Sequence, residues 1–268
     1  MTTAVTPPAT GPGHVRITAA GLLRSEWTKL RSVRSLRLTL ALPFAAVAAL
    51  SAYLLIDGET LGDGAAADVP FAFTAVYPLG VLALTVLGVL VVTGEYSSGT
   101  VRASMIAAPR RTGVLLAKAA VLAGVTTALG ALLSVALYVL TRITGAVPAA
   151  AGMSLFDPAM SGGVVAATLL LPYGALFGIA LGALVRNAAA AITLYFGVFQ
   201  LGPQIFPVFL PDGLTGFTHW MPFAAMDVVR GAGLADGPYG VGTAVAVLLA
   251  WAAALGGVSW WLLKTRDI

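Results

Sequence analysis

Glu95, Arg102, Arg110, Arg111 and Lys118 fall within one stretch, Gly94–Lys118, set between two long apolar runs. Charges spaced in this way can form ion pairs, hold anionic headgroups or recognise a complementary surface; they do not by themselves break bonds. Tyr96 sits beside Glu95 where the preceding run ends, and Ser97, Ser98 and Gly99 make a break. Thr100 can cap a short helix. Val101, Met105 and Ala108 follow at i, i+4 and i+7 and give that helix a weakly apolar face. Pro109 has no N–H with which to continue it, so the helix is predicted to stop there. A short surface helix at the mouth of two membrane helices suits contact with a soluble partner. The bland reading is that the basic residues only set orientation and bind headgroups, with Glu95 pairing one of them.

Bond-breaking chemistry finds no support elsewhere. Lys29, Lys118 and Lys264 are preceded by Thr28, Ala117 and Leu263, so no Gly-Lys-Ser/Thr phosphate loop exists and ATP hydrolysis by this chain alone is not expected. His14 and His219 are the only histidines and neither has a partner at metal-ligand spacing. There is no cysteine, hence no disulfide, thiolate site or cysteine nucleophile. No serine lies in a Gly-x-Ser-x-Gly elbow. The expectation is no catalytic residue, no metal and no cofactor in this chain, and nothing points to a nucleic-acid partner.

The elements that would position the charged stretch are membrane helices. Of 268 residues 59% are hydrophobic and only 10% charged, with a mean hydropathy of +0.93, which places the chain among polytopic membrane proteins. Residues 1–16 are Thr/Pro/Gly-rich and expected to be disordered, leaving 17–268 as one membrane domain. Six runs reach spanning length: Leu36–Ile56, Ala72–Thr93, Ala119–Leu140, Gly162–Leu184, Ala188–Leu210 and Val241–Leu263. With both termini inside, 13 of the 15 Lys and Arg residues fall on the inner side, and only Arg142 and Arg230 outside. The span cores carry no Asp, Glu, Lys, Arg or His, which counts against a proton-driven carrier.

Before the first span, Leu22, Leu23, Trp27, Leu30 and Val33 share one side of a helical wheel, opposite Arg24, Thr28, Lys29, Arg31 and Ser32. This predicts a helix through Leu22–Arg37 lying in the membrane interface, with Trp27 at headgroup depth. Glu26 and Arg34 intrude on the apolar side. Snorkelling is the favoured explanation; the sharper one is that Glu26 meets a basic residue of a neighbouring element. Gly174, Gly178 and Gly182 recur every four residues and allow close helix packing, within the bundle or between subunits. Gln200, Gly202, Pro203, Gln204 and Pro207 break the outer half of the fifth run, which must then face protein or water. Tyr195, Phe199, Gln200 and Gln204 read first as packing and second as lining for an amphiphile route. Pro211–Gly240 is the longest outer loop, and Phe217, Trp220, Met221, Phe223 and Met226 make it apolar enough to dip back into the membrane with Trp220 as anchor.

Two motifs in order, Leu-Leu-Arg-Ser-Glu-Trp-Thr-Lys-Leu-Arg-Ser (Leu22–Ser32) before the first span and Gly-Glu-Tyr-Ser-Ser-Gly-Thr-Val-Arg (Gly94–Arg102) followed by Pro109-Arg110-Arg111 after the second, resemble the membrane subunit of type-2 ABC exporters of bacterial drug and antibiotic efflux systems. The resemblance covers Leu22 to the C-terminus. It implies an all-α, six-span permease in the bacterial plasma membrane, with both termini cytoplasmic. The first motif would be an elbow helix, carrying Glu26, Trp27, Lys29 and Arg31. The second would supply the coupling helix, shaped by Glu95, Tyr96, Gly99, Thr100 and Arg102 and flanked by Arg110 and Arg111. Pro211–Gly240 resembles that family's re-entrant outer loop. Implied partners are two copies of an ATPase subunit, which would carry ATP and magnesium, a second permease copy or paralogue, and membrane lipids. The rival expectations are an ATP-independent channel or carrier, and a non-transporting scaffold or sensor.

Overall fold

The computed structural model describes residues 18–57, 74–97, 99, 111–145, 152–231 and 239–265. Residues 1–16 lie outside these, as does the expected coupling helix with Thr100, Arg102 and Arg110; Arg111 is described in its backbone alone. The described residues are helical, with no strand among them.

Helix α1 (Ala19–Ser32) starts where the Thr18 hydroxyl accepts from the Gly21 N–H at 3.1 Å. Helix α2 (Arg34–Asp57) follows after one extended residue, Val33. A single helix through Arg37 was the sequence expectation; the break falls in Ser32-Val33, neither a strong helix former. Arg34 and Arg37 therefore belong to the first turn of α2, not to the wheel of α1. Helix α3 (Tyr77–Ser97), α4 (Arg111–Thr144) and α5 (Pro158–Val185) are long apolar helices. Helix α4 begins about two turns before the expected span, so Lys118 lies inside it rather than in a connecting segment.

The fifth run is not one straight helix. Helix α6 (Ala188–Leu194), capped by Asn187, passes into a π-helical turn, Tyr195–Gln200, and the chain then bends by 63° into α7 (Gly202–Phe209). Pro203 cannot donate to the preceding turn and its ring crowds the carbonyl of Phe199, which accounts for the break. Three short pieces come next: α8 (Asp212–Thr215), a 3-10 turn (Gly216–Trp220) and α9 (Pro222–Val229). Helix α10 (Val241–Thr265) ends the described chain. Five helices are thus long and apolar enough to cross a membrane, and the bent pair makes six if it counts as one span.

Helices α3 and α5 form the centre. About 56% of the apolar window of α3 and 67% of that of α5 are buried, against 22% for α2 and 17% for α10. Their contact is backbone to backbone: a Cβ on Gly178 would meet the Thr85 carbonyl oxygen at 2.0 Å, and one on Gly174 the Val81 oxygen at 2.7 Å. Gly182 faces Val89, and from the other side a Cβ on Gly88 would meet the Ala175 oxygen at 2.2 Å. The three spaced glycines thus pack inside this chain, and Gly88 is their counterpart on α3. Hydroxyls buried in the bundle, Thr85, Thr93, Thr126 and Ser134, return their protons to carbonyls one turn back, so that none of these four is a bare donor in an apolar interior, whereas the buried hydroxyls of Ser51, Tyr77 and Tyr173 have no hydrogen-bond partner among the described residues. Ser259 on α10 instead donates across to the Ala180 carbonyl of α5 at 2.8 Å.

Candidate functional site: an ion cluster joining three helices

Helix α1 presents Leu22, Glu26, Lys29 and Leu30 to the bundle, while Leu23, Trp27 and Val33 stay exposed. Glu26 is therefore at the centre of the buried side and does not snorkel, contrary to the favoured expectation: its side chain is only 6% exposed. The wheel misled because α1 has two faces to satisfy. The row through Leu23 and Trp27 points outward, and the row through Leu22, Glu26 and Leu30 packs against α4, where Leu22 lies beside Gly113.

Glu26 is paid for by two ammonium groups. Lys118 of α4 donates to its Oε2 at 2.6 Å and Lys29 to its Oε1 at 2.6 Å. Both lysines also donate to Glu95 Oε1, on the last turn of α3, each at 2.9 Å. Two carboxylates and two ammoniums so alternate around a closed ring, net neutral, linking α1, α3 and α4. Lys118 shares the burial of Glu26, at 6% side-chain exposure, whereas Lys29 is 38% exposed and Glu95 20%. Removing such charges from water is tolerated because each finds opposite charges at hydrogen-bond distance.

Burial by itself would lower the Lys29 ammonium, but hydrogen bonds to Glu26 and Glu95 and the charges of both outweigh it and hold it above its usual 10.5. The folded protein then binds this proton more tightly than the unfolded chain does. The resulting stabilisation is complete below pH 10.5 and is lost as pH rises through the higher folded value. Because Lys29 is more than a third exposed, the effect is small, below about 1 kcal/mol. Melting curves of the wild type and of Lys29→Met are expected to keep a constant separation from about pH 5, where free carboxylates are ionised, up to pH 10.5, and to converge above it. Convergence within that window would contradict the arrangement.

Of the other expected coupling residues, the side chain of Tyr96 and the backbone of Gly99 are among the described residues. Tyr96, next to Glu95, carries the Arg186 guanidinium 5.3 Å from its ring centre. Arg186 ends α5 in the left-handed conformation, φ 60°, with its N–H on the Gly182 carbonyl. Its Nε and Nη2 are shut off from solvent without a hydrogen-bond partner among the described residues. Gly99 has a φ of +70°, a conformation that suits glycine. Arg31 and Trp27 are exposed on α1 and stand outside the ring. Lys118 and Arg186 were legible in the sequence only as orientation charges; the signal for Lys118 was the unexplained Glu26, which needed a cation from another element.

The residues considered for an amphiphile route sit elsewhere. Tyr195 and Phe199 are buried in an aromatic cluster, with Phe177 edge-on to each at 5.8 and 5.1 Å and Trp251 against Phe199 at 5.4 Å. The Tyr195 hydroxyl donates to Gln200 Oε1 at 3.2 Å, and the Gln204 amide reaches the Gln200 carbonyl at 3.5 Å. Gln200 also lines a small space of about 10 Å³ with Tyr77, Asp227 and Arg230, room for no more than one water. In the expected re-entrant loop, Met221, Ala225 and Met226 are buried. Trp220 is half exposed and stacks on Tyr239 with ring centres 5.2 Å apart, and its carbonyl accepts from Trp251 at 2.8 Å.

No protein-family model matches the chain, and no curated protein matches it closely enough to give it a family.

Proposed function

We propose that this chain is the membrane subunit of an ATP-driven exporter of the ABC type, moving a hydrophobic or amphiphilic cargo across the bacterial plasma membrane. ATP and magnesium would be held by two separate ATPase subunits, and a second copy or paralogue of this chain would complete the pathway. One observation carries the reading. The ring of Glu26, Lys29, Glu95 and Lys118 clamps α1, α3 and α4 together where segment 98–110 leaves α3 and re-enters as α4. A push on that segment is delivered to both helices and, through Glu26, to α1. Closure of an ATPase pair would then tilt these elements as a unit and switch access from one side of the membrane to the other.

Charge reversal at Arg102 addresses the expected contact at a residue that is not one of the four ring residues. Arg102→Glu is expected to leave the protein folded and in the membrane but to lower ATP-dependent cargo efflux on the order of tenfold or more, because like charges across a docking surface cost several kcal/mol. Full transport by this variant, with the copurified ATPase still stimulated by cargo, would defeat the docking reading. Reconstitution of the chain alone in vesicles separates it from a channel, which would pass cargo with no ATPase present.

A further inference from the structure

Beside the ion ring lies a half-open cavity of about 720 Å³, lined by residues of α1, α2, α3 and α4. All four ring residues form one end of it. The rest of its wall is mostly apolar, with Leu87, Leu90 and Val91 on α3, Val121 and Leu122 on α4, and Leu36 on α2; Ser35 and Thr39 of α2 are its polar members. From Glu95 back to Leu87 the wall runs about 12 Å along α3, two helical turns. A charged end and a long apolar wall match the shape and polarity of one kind of molecule, an amphiphile lying parallel to the helices. The volume is that of a ligand site and too large to be a packing defect.

The hydrogen-bond inventory decides the headgroup. Each ammonium has three donors, and Lys29 and Lys118 each spend two on Glu26 and Glu95; among the described residues the third has no acceptor. A buried, charged donor left unsatisfied is costly, and most so for Lys118. An anionic oxygen at this end of the cavity satisfies both. A cationic headgroup would have to displace a lysine from Glu26, whose two oxygens are each engaged. Arg34, exposed between the lining residues Val33 and Ser35, adds positive charge at the rim.

We infer that this cavity is a binding site for a membrane phospholipid, with its phosphate on Lys29 and Lys118 and one acyl chain along Leu87, Leu90 and Val121. The site does not depend on the chain being a transporter, and its occupation would brace the same ring that joins α1 to the bundle.

The test is native mass spectrometry of the purified full chain, titrated in detergent with phosphatidylglycerol or with a diacylglycerol of identical acyl chains. Phosphatidylglycerol is expected to be retained at one molecule per chain, at least tenfold more tightly than diacylglycerol. Val121→Trp, which fills the cavity, should weaken retention tenfold or more. Leu132→Trp, at a residue 65% exposed on α4, should leave it unchanged. Leu90→Trp serves the same purpose should Val121→Trp fail to fold. Equal retention of the two lipids, or retention unaltered in the folded cavity-filling variant, would overturn the assignment. So would a wild-type chain that keeps no phospholipid, which would point to segment 98–110 or a second copy as the occupant. None of these readouts involves ATP, so the lipid site and the transport reading can fail separately.

Discussion

Lys118→Met is expected to destabilise the protein by about 3–5 kcal/mol, the usual cost of removing one partner from a buried ion pair. The substitution keeps the length and the apolar stem of the side chain, so packing changes little. What it removes is the ammonium that both Glu26 and Glu95 share. Among the four ring residues, Lys29, more than a third exposed, would be the one ammonium left beside the two carboxylates, one of them 6% exposed. The double variant Glu26→Met/Lys118→Met provides the contrast. It deletes one charge of each sign and leaves the Lys29–Glu95 pair in place, and replacing a buried pair by apolar groups is often neutral or stabilising. Thermal melting in detergent is therefore expected to rank the double variant near the wild type and the single variant far below. A single variant as stable as the double would show that the ring is not a coupled unit.

Gly178→Ala is expected to cost about 1–3 kcal/mol, as overpacking does where nothing can yield, and Gly178→Val more. The added Cβ would stand 2.0 Å from the Thr85 carbonyl oxygen, 2.8 Å from its carbon and 2.9 Å from its Cα. All three are backbone atoms in the middle of α3, so relief requires the two central helices to move apart. Gly124→Ala is the control: it lies in α4 with nothing within 4 Å of the new Cβ, and should be neutral or gain up to about 1 kcal/mol from helix propensity. Equal melting shifts at the two positions would refute the close α3–α5 contact. Because Gly88 approaches α5 from the opposite side, Gly88→Ala is expected to resemble Gly178→Ala.

The apolar helices were legible because hydrocarbon imposes a length and a composition that show in the sequence without any knowledge of neighbours. The break in the fifth run was legible too, since Pro203 acts through its own backbone, although Pro207 is accommodated inside α7. The 63° bend and the π-turn before it were not, because they depend on what the freed segment packs against. Glu26 shows the same limit in the candidate site. On a wheel it is a misplaced charge on an apolar side; in the bundle it is the residue on which two lysines from different helices converge. Arg186 counted only as one more inner charge, yet it lies over Tyr96.

Composition, periodicity and the placement of lysine and arginine determined that the chain carries helices long and apolar enough to cross a membrane, and that its charges gather at the ends of those segments. These are properties of a residue and its near neighbours in the chain. Which charges meet was settled only in three dimensions: Glu26 and Lys118 are 92 positions apart, and Lys29 and Glu95 are 66. An ion pair between helices depends on crossing geometry and register. Those follow from backbone contacts such as that of Gly178 with Thr85, and hydrophobic period does not encode them.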